Sequence, residues 1–341
     1  MPAGMEASSI AAANGATPWQ RARRFADENP AGIFLAIMAL VGTALAATQG
    51  LDDFGQRTIN GFVNGSSIAL GAIGLTLVYG ILRLTNFAHG DMLTAGAYIA
   101  LLFNLTLELP FILSLLIAVA AMAALGVILE LVMWRPMRKR KAGMLQLLLM
   151  TIGLAFVLRN VVQFFAGADP KSLDVNVTDS YFFLDLSIGR TQLYVLITAM
   201  LVLLAVATLL RVTSLGRQMR ALADNFDLAE TTGVDTGRVV IWTWVLAAGL
   251  AGLAGVLLGA SGGSINPNFG FQLLLSLFAA VVLGGIGNAY GALAGGLVIG
   301  LAQEWSTLVI DSIWKEAVSF IVLIIVLLVR PQGIFGSSRS L

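Results

Sequence analysis

Residues 61–82 read GFVNGSSIALGAIGLTLVYGIL, a run of 22 residues without a charged side chain. A bilayer core about 30 Å thick needs roughly 20 apolar residues in helical conformation to cross it. Small residues recur in this run at four-residue spacing, at Gly61, Gly65 and Ala69, and such spacing lets a second helix backbone approach closely. The stretch therefore predicts a closely packed transmembrane helix.

Comparable apolar runs fill the rest of the chain. Of its 341 residues, 58% are hydrophobic and 11% are charged, and the mean hydropathy of +0.88 is too high for a soluble globular domain. The predicted fold class is all-α, a polytopic membrane helix bundle with about eight to ten crossings. Apolar segments are predicted at 31–48, 61–82, 91–106, 110–133, 144–166, 192–210, 239–260, 271–285, 291–308 and 316–330.

Some of these segments are too short for a comfortable crossing, namely 91–106, 271–285 and 316–330. We expect them to be steep, broken or re-entrant. Lipid tolerates such helices only where protein or water covers the freed backbone groups.

The predicted domain organisation is one membrane domain with two short tails. Residues 1–30 are polar and Ala-rich and lack an apolar core followed by a cleavage site, so we expect a disordered cytoplasmic tail rather than a signal peptide. A single transmembrane domain is predicted at 31–336, and a C-terminal tail at 337–341. The chain contains no cysteine, which excludes disulfides and thiolate metal sites.

Basic residues indicate which side each loop faces. If the N-terminus is cytoplasmic and the loops alternate, fifteen of the twenty Lys and Arg residues fall on the cytoplasmic side. Only Arg57, Lys171, Arg190 and Lys315 fall outside, and Arg159 lies within a segment. This follows the positive-inside rule. It predicts a multi-pass bacterial inner-membrane protein with both termini in the cytoplasm and its largest external loop at 167–191.

The cytoplasmic loop at 211–238 is too regular for a simple tether. Good helix formers at 217–226 predict one short helix. Asp227 followed by Glu230 resembles a capping pair for a second helix, and Gly233 supplies its stop.

Two hypotheses fit this helical loop. A short helix on the cytoplasmic face is what a membrane subunit needs to dock a soluble motor. A membrane-surface helix is the alternative, with Arg217 and Arg220 held against anionic lipid. The local sequence leaves both open.

Few ionisable groups lie at membrane depth, where each is costly unless it is paired or hydrated. Arg159, next to Asn160, lies in the fifth segment, and Glu304 lies in the outer part of the ninth. Each either lines a polar path or extends to the outer interface.

The only histidine, His89, lies in the break between the second and third segments. A lone imidazole cannot build a metal site, and a proton relay needs further titratable groups at depth. We expect a hydrogen bond from His89 that shapes the break, with Arg83 and Asp91 as a pair nearby. Asn86 with Gly90 and Asn288 with Gly291 mark two similar breaks, which suggests an internal repeat.

Motifs for catalysis are missing from the sequence. It carries no Gly-x-x-x-x-Gly-Lys-Ser/Thr loop for nucleotide phosphates, no nucleophile elbow and no His-Glu-x-x-His. We therefore expect no enzymatic activity, no cofactor or metal bound by this chain and no nucleic-acid partner. If ATP drives the protein, another chain must bind it.

Four stretches together resemble the permease subunits of branched-chain amino acid ABC importers. Residues 79–91, YGILRLTNFAHGD, are similar to the family's YGI...INFAHGE, with Asp91 where many members carry Glu. The stretch RALADN at 220–225, followed by Ala229 and Gly233, looks like the family's cytoplasmic coupling loop. The other two stretches are AAVVLGGIG at 279–287 and RPQGIFG at 330–336.

The resemblance implies a five-part machine in the lipid bilayer: this permease, a second homologous permease, two ATP-binding subunits and a periplasmic solute-binding protein. The family uses the coupling loop to contact the ATPase. On this basis the coupling candidates are Arg217, Arg220, Ala221, Asp224, Ala229 and Gly233. The pathway or gate candidates are Asn86, His89, Asp91, Arg159, Asn160, Asn288 and Glu304.

Three other functions remain open. The first is a permease of the same type for urea or short amides, because the binding protein selects the cargo. The second is an ion-coupled secondary transporter, which would need acidic or histidine groups near the midplane, where this chain has almost none. The third is a passive channel, which gives no reason for a structured loop at 211–238.

Overall fold

A computed structural model describes residues 30–175, 179–183, 186–330 and 332–334. The predicted tails therefore lie outside the described residues, apart from Pro30. The first helices are α1 (Pro30–Gln49), α2 (Leu51–Leu82), α3 (His89–Leu101), α4 (Phe111–Leu129), α5 (Arg135–Lys139), α6 (Met144–Ala166) and α7 (Arg190–Val212). The remaining helices are α8 (Ser214–Asp224), α9 (Phe226–Thr231), α10 (Thr236–Gly262), α11 (Phe269–Gly284), α12 (Ala289–Ser306) and α13 (Lys315–Val329).

The ten predicted apolar segments each correspond to a helix. Single π-helical turns extend α3 through Leu102–Thr106 and α4 through Glu130–Trp134, and a 3₁₀ turn at Ser312–Trp314 precedes α13. Seven helices of the described residues are long and apolar enough to cross a membrane. The polytopic all-α fold class is thus confirmed.

Two features depart from the sequence prediction. Helix α2 begins at Leu51, ten residues before the predicted start, because Asp52 and Asp53 in its first turn stabilise the positive end of the helix dipole. The predicted external loop contains an antiparallel hairpin, β1 (Ser180–Phe183) and β2 (Leu186–Gly189).

The chain divides into two compact units, Met1–Ala44 and Leu45–Leu341. Within the second unit, α2 is the central helix. In its most apolar window, 89% of the residues are buried, whereas the corresponding share for α6 is 11%. The small residues of α2 meet those of α12 directly, since a Cβ built at Gly65 would lie 3.0 Å from the Leu297 Cα. The four-residue spacing of small residues is therefore used for backbone contact.

Side-chain contacts sort the connecting segments into two ends of the second unit. At one end the Tyr290 hydroxyl donates to the Ala207 carbonyl over 3.1 Å. We call it the basic end, because the segments 135–141 and 211–238 carry most of its charge. We call the opposite end the acidic end, because its connecting segment between α6 and α7 carries Asp169, Asp174 and Asp179. There Gln56 Nε2 donates to the Ser187 carbonyl over 2.8 Å.

Helices α2 and α10 end in the same way. Helix α2 ends at Leu82 and α10 at Gly262, and in each case the next residue adopts the left-handed conformation, with φ of 52° at Arg83 and 77° at Gly263. These positions are 180 residues apart in the sequence.

An asparagine turn then follows each helix end. The Asn86 side chain accepts from the Ala88 amide over 3.1 Å, and its carbonyl accepts from the His89 amide over 3.3 Å. Asn266 makes the same two bonds, at 2.9 Å to Asn268 and 3.0 Å to Phe269. Helices α3 and α11 begin at the fourth residue of these turns.

The chain therefore contains an internal repeat, but its second asparagine is Asn266 and not the expected Asn288. Asn288 instead caps α12, and its side chain accepts from the Tyr290 and Gly291 amides. Helix α2 ends at the basic end, whereas α10 begins there after α9. The two halves thus have inverted topology.

Helices α3 and α11 cross where their first turns meet. The contact is backbone against backbone, because a Cβ built at Gly270 would collide with the Gly90 carbonyl. The Thr94 hydroxyl accepts from the Gly270 amide over 2.8 Å. Only glycine fits this crossing.

We predict that Gly270→Ala destabilises the protein by about 1–3 kcal/mol or more, because the added methyl group must displace backbone atoms. Gly153→Ala in α6 is the matched control, since a Cβ there meets nothing within 4 Å. The measurement is the free energy of unfolding in detergent micelles. If Gly270→Ala is as stable as Gly153→Ala, the crossing tolerates a side chain.

Candidate functional site

The break between α2 and α3 turns back into the bundle. His89 is buried, and its Nε2 lies 2.9 Å from the Gly71 carbonyl of α2. Gly71 precedes the end of α2 by eleven residues, or about 16 Å at 1.5 Å per residue. Helix α3 therefore begins beside the middle of α2, and the His89 bond fixes this position.

A buried ion pair lies two residues further along, still in the first turn of α3. Arg159 of α6 contacts Asp91 in a bidentate manner, with 2.9 Å from Nε to Oδ1 and 3.2 Å from Nη2 to Oδ2. The Asp91 side chain is 0% exposed and the Arg159 side chain 15%. The expected pairing of Asp91 with Arg83 is wrong, because Arg83 extends to the basic end instead.

Arg159 also contacts the second half of the repeat. Its guanidinium carbon lies 4.4 Å from the ring centroid of Phe271, which occupies in α11 the position of Asp91 in α3. A second ring, Phe156 of α6, lies at 5.7 Å. Aromatic faces attract guanidinium groups. Arg159 thus joins α6 to the crossing of α3 and α11.

The other pathway candidates lie elsewhere. Asn160 is exposed and donates to the Phe156 carbonyl of its own helix. Glu304 is buried at the acidic end, where its Oε1 accepts from Asn64 Nδ2 over 2.7 Å and from Lys315 Nζ over 2.6 Å. Glu304 therefore connects α2, α12 and α13. The structure brings together only Asn86, His89, Asp91 and Arg159.

One buried polar cluster was missed by the sequence analysis. Gln303 Nε2 donates to the Ser276 and Ser319 hydroxyls over 2.9 and 2.8 Å. The cluster joins α11, α12 and α13. Its signal in the sequence is an amide within an apolar segment, but three uncharged residues far apart in the chain give no indication of their partners.

The loop at 211–238 forms two helices, as expected, but with different caps. The Thr213 hydroxyl accepts from the Gly216 amide at the start of α8. The Asn225 side chain accepts from the Leu228 amide at the start of α9. The cap of the second helix is therefore Asn225 and not Asp227.

Both arginines of the coupling candidates bind the preceding helix. Arg217 Nη1 donates to the Val212 carbonyl over 2.9 Å, and Arg220 donates to the Leu210 carbonyl. Carbonyl groups at a helix C-terminus lack intrahelical partners and attract cations. The two arginines thus fasten α8 to α7.

The remaining coupling candidates differ in exposure. Ala221 and Asp224 are exposed, Ala229 is buried, and Gly233 forms a turn with φ of 87°. Leu228, which is not among the predicted candidates, is 60% exposed on α9. An exposed leucine on a short polar helix is a feature of contact surfaces.

The family of the chain follows from comparing its sequence with family models. Residues 57–327 match the model of the permease component of branched-chain amino acid transport systems. The chain belongs to this family. The prediction from the four motifs is confirmed, and the family is one of transport permeases.

Relatives of known name match over most of their length. The branched-chain amino acid permease LivH of Salmonella typhimurium is 37% identical over 299 residues, covering 83% of this chain and 96% of LivH. BraD of Pseudomonas aeruginosa is 35% identical over 294 residues, covering 82% and 95%. The ribose import permease RbsC of Escherichia coli is 28% identical over 307 residues, covering 86% and 91%.

We predict that Arg159→Ala destabilises this permease by about 3–5 kcal/mol, because it leaves the Asp91 carboxylate buried without its partner. The double variant Asp91→Asn, Arg159→Gln removes both charges and should lose much less. Unfolding titrations in micelles measure both. If the single variant is as stable as the double variant, burial of an unpaired charge is not the cause.

Proposed function

We propose that this chain and a second homologous permease form the membrane pathway of an ABC importer for branched-chain or other neutral amino acids. Two ATP-binding subunits drive the importer, and a periplasmic binding protein delivers the cargo. The match over 57–327 to the permease family carries the proposal. ATP is used by the partner subunits, and this chain holds no cofactor.

The charges on α8 and α9 support the docking hypothesis over the lipid-surface hypothesis. Anionic lipid attracts clusters of Lys and Arg. Both arginines of α8 are bonded to α7, while the exposed Asp224, Asp227 and Glu230 would be repelled by anionic headgroups. A protein partner is therefore the better fit.

The basic end is proposed to face the cytoplasm. The positive-inside rule favours this orientation. Both termini would then lie in the cytoplasm, and the β1–β2 hairpin would face the binding protein. The orientation also places α8 and α9 on the side where ATP is available.

The cargo rests on similarity alone. LivH and BraD carry branched-chain amino acid transport in their names, whereas RbsC imports ribose at lower identity. Urea or a short amide remains the alternative cargo. An ion-coupled carrier is disfavoured, because Asp91 is held by Arg159 and His89 by the Gly71 carbonyl.

We predict that the chain, expressed with its neighbouring genes, co-purifies with an ATP-binding subunit and supports uptake of a branched-chain amino acid that stops when ATP is depleted. Isothermal titration of the purified binding protein with leucine, urea and ribose identifies the cargo. Uptake that persists without ATP, by the chain alone, would contradict the ABC assignment.

We predict that Ala221→Arg abolishes recovery of the ATP-binding subunit, because a long cation replaces a methyl group on the exposed face of α8. Ala168→Arg is the matched control, since Ala168 is exposed at the acidic end. Membrane insertion of both variants should be normal. Equal recovery of the ATPase with both would remove α8 from the docking surface.

A further inference from the structure

The two halves of the repeat differ in the residue that follows the first helix of each half, Arg83 after α2 and Gly263 after α10. The second half has Gly263 there, and glycine adopts the left-handed conformation without strain. The first half has Arg83 at φ 52° and ψ 29°, a conformation that a residue with a side chain adopts only at a cost. Lys141 has the same φ of 52°, so this conformation alone does not single out Arg83, and the contacts of its side chain decide.

The Arg83 side chain reaches the coupling helices. Its Nη2 donates to the Ala223 carbonyl over 3.3 Å, across 140 residues of sequence. Ala223 lies in the last turn of α8, where carbonyl groups attract cations. In the described part of the chain, it is the one side-chain hydrogen bond between α8 and the α2–α3 break.

The break is not close-packed on every side. A cavity of about 220 Å³ separates it from the start of α6. Close-packed interiors resist displacement, and the break lacks such packing on this side. The lining residues are Leu82, Arg83, Leu84 and Thr85 of the break, and Met144, Leu147 and Leu148 of α6.

The break is connected to α3 and, through α3, to α6. The break leads through the Asn86 turn into α3, whose first turn carries Asp91. Asp91 holds Arg159 of α6, a helix that is mostly unburied within this chain. Arg83 thus begins a continuous path of contacts from α8 to α6.

We propose that Arg83 is a positioning residue that transmits the movement of α8 to the α2–α3 break during transport. The proposal rests on the proposed function, because it takes the ATP-binding subunits as the source of that movement. Neither Arg83 nor the break has to touch the cargo. The residue acts through α3 and the Asp91–Arg159 pair.

The test compares Arg83→Gly with Lys141→Gly in the complete complex reconstituted in liposomes. Lys141 is the matched control: it lies at the basic end, is exposed and also has φ of 52°. Both variants remove one cation and place glycine at a left-handed position. The measured quantity is the amount of leucine taken up per ATP hydrolysed.

We predict that Arg83→Gly lowers uptake per ATP at least threefold while ATP hydrolysis stays within twofold of wild type. Its thermal unfolding temperature should be no lower, because glycine suits the conformation. Lys141→Gly should leave uptake per ATP unchanged. The proposal is overturned if Arg83→Gly transports normally, or if uptake, hydrolysis and stability fall together.

A second measurement does not depend on the cargo. The chain has no cysteine, so Thr85→Cys places its only thiol beside the cavity. ATP should change the maleimide labelling rate of this thiol in the otherwise unchanged complex, but not when Arg83→Gly is added. An equal response in both overturns the role of Arg83 and leaves the importer intact; a chain that binds no ATPase overturns both proposals.

Discussion

Backbone groups freed at the two helix breaks need partners inside the protein, because the hydrocarbon of the bilayer offers none. Asn86 and Asn266 meet this need with the same pair of hydrogen bonds. The Thr94 hydroxyl then satisfies an amide of α11. Glycine at the crossing lets the two first turns come close enough for this bond. The crossing of α3 and α11 and the position of the buried ion pair depend on these hydrogen bonds.

Helix positions could be predicted from sequence because lipid imposes one simple requirement, about 20 apolar residues per crossing. The start of α2 could not be predicted in this way, since Asp52 and Asp53 continue the helix beyond its apolar run. The partners of the polar residues could not be predicted either. Asp91 and Arg159 are 68 residues apart, and no local pattern relates them. Arg83 is closer to Asp91 in sequence, but its side chain extends from the helix break toward α8.

The repeat shows why chemical similarity is a poor guide to structural equivalence here. Asn288 and Asn86 are each followed closely by glycine, yet only Asn266 occupies the equivalent turn. What the two halves share is a helix end, a left-handed residue and an asparagine turn. They differ in the side chain at two equivalent positions, Arg83 against Gly263 and Asp91 against Phe271. The function of the first half therefore has to be sought in residues that the second half lacks.

Both differences concern contacts between the first break and a neighbouring helix. Arg83 connects it to α8, and Asp91 connects it to α6. Helix α8 is itself fastened to α7 by Arg217 and Arg220, so it is not a free loop. The α2–α3 break thus joins the α7–α8 unit at the basic end to α6, which is little buried. The second break has Gly263 where the first has Arg83, so it cannot make the side-chain connection to α8, and the two breaks are not expected to respond alike.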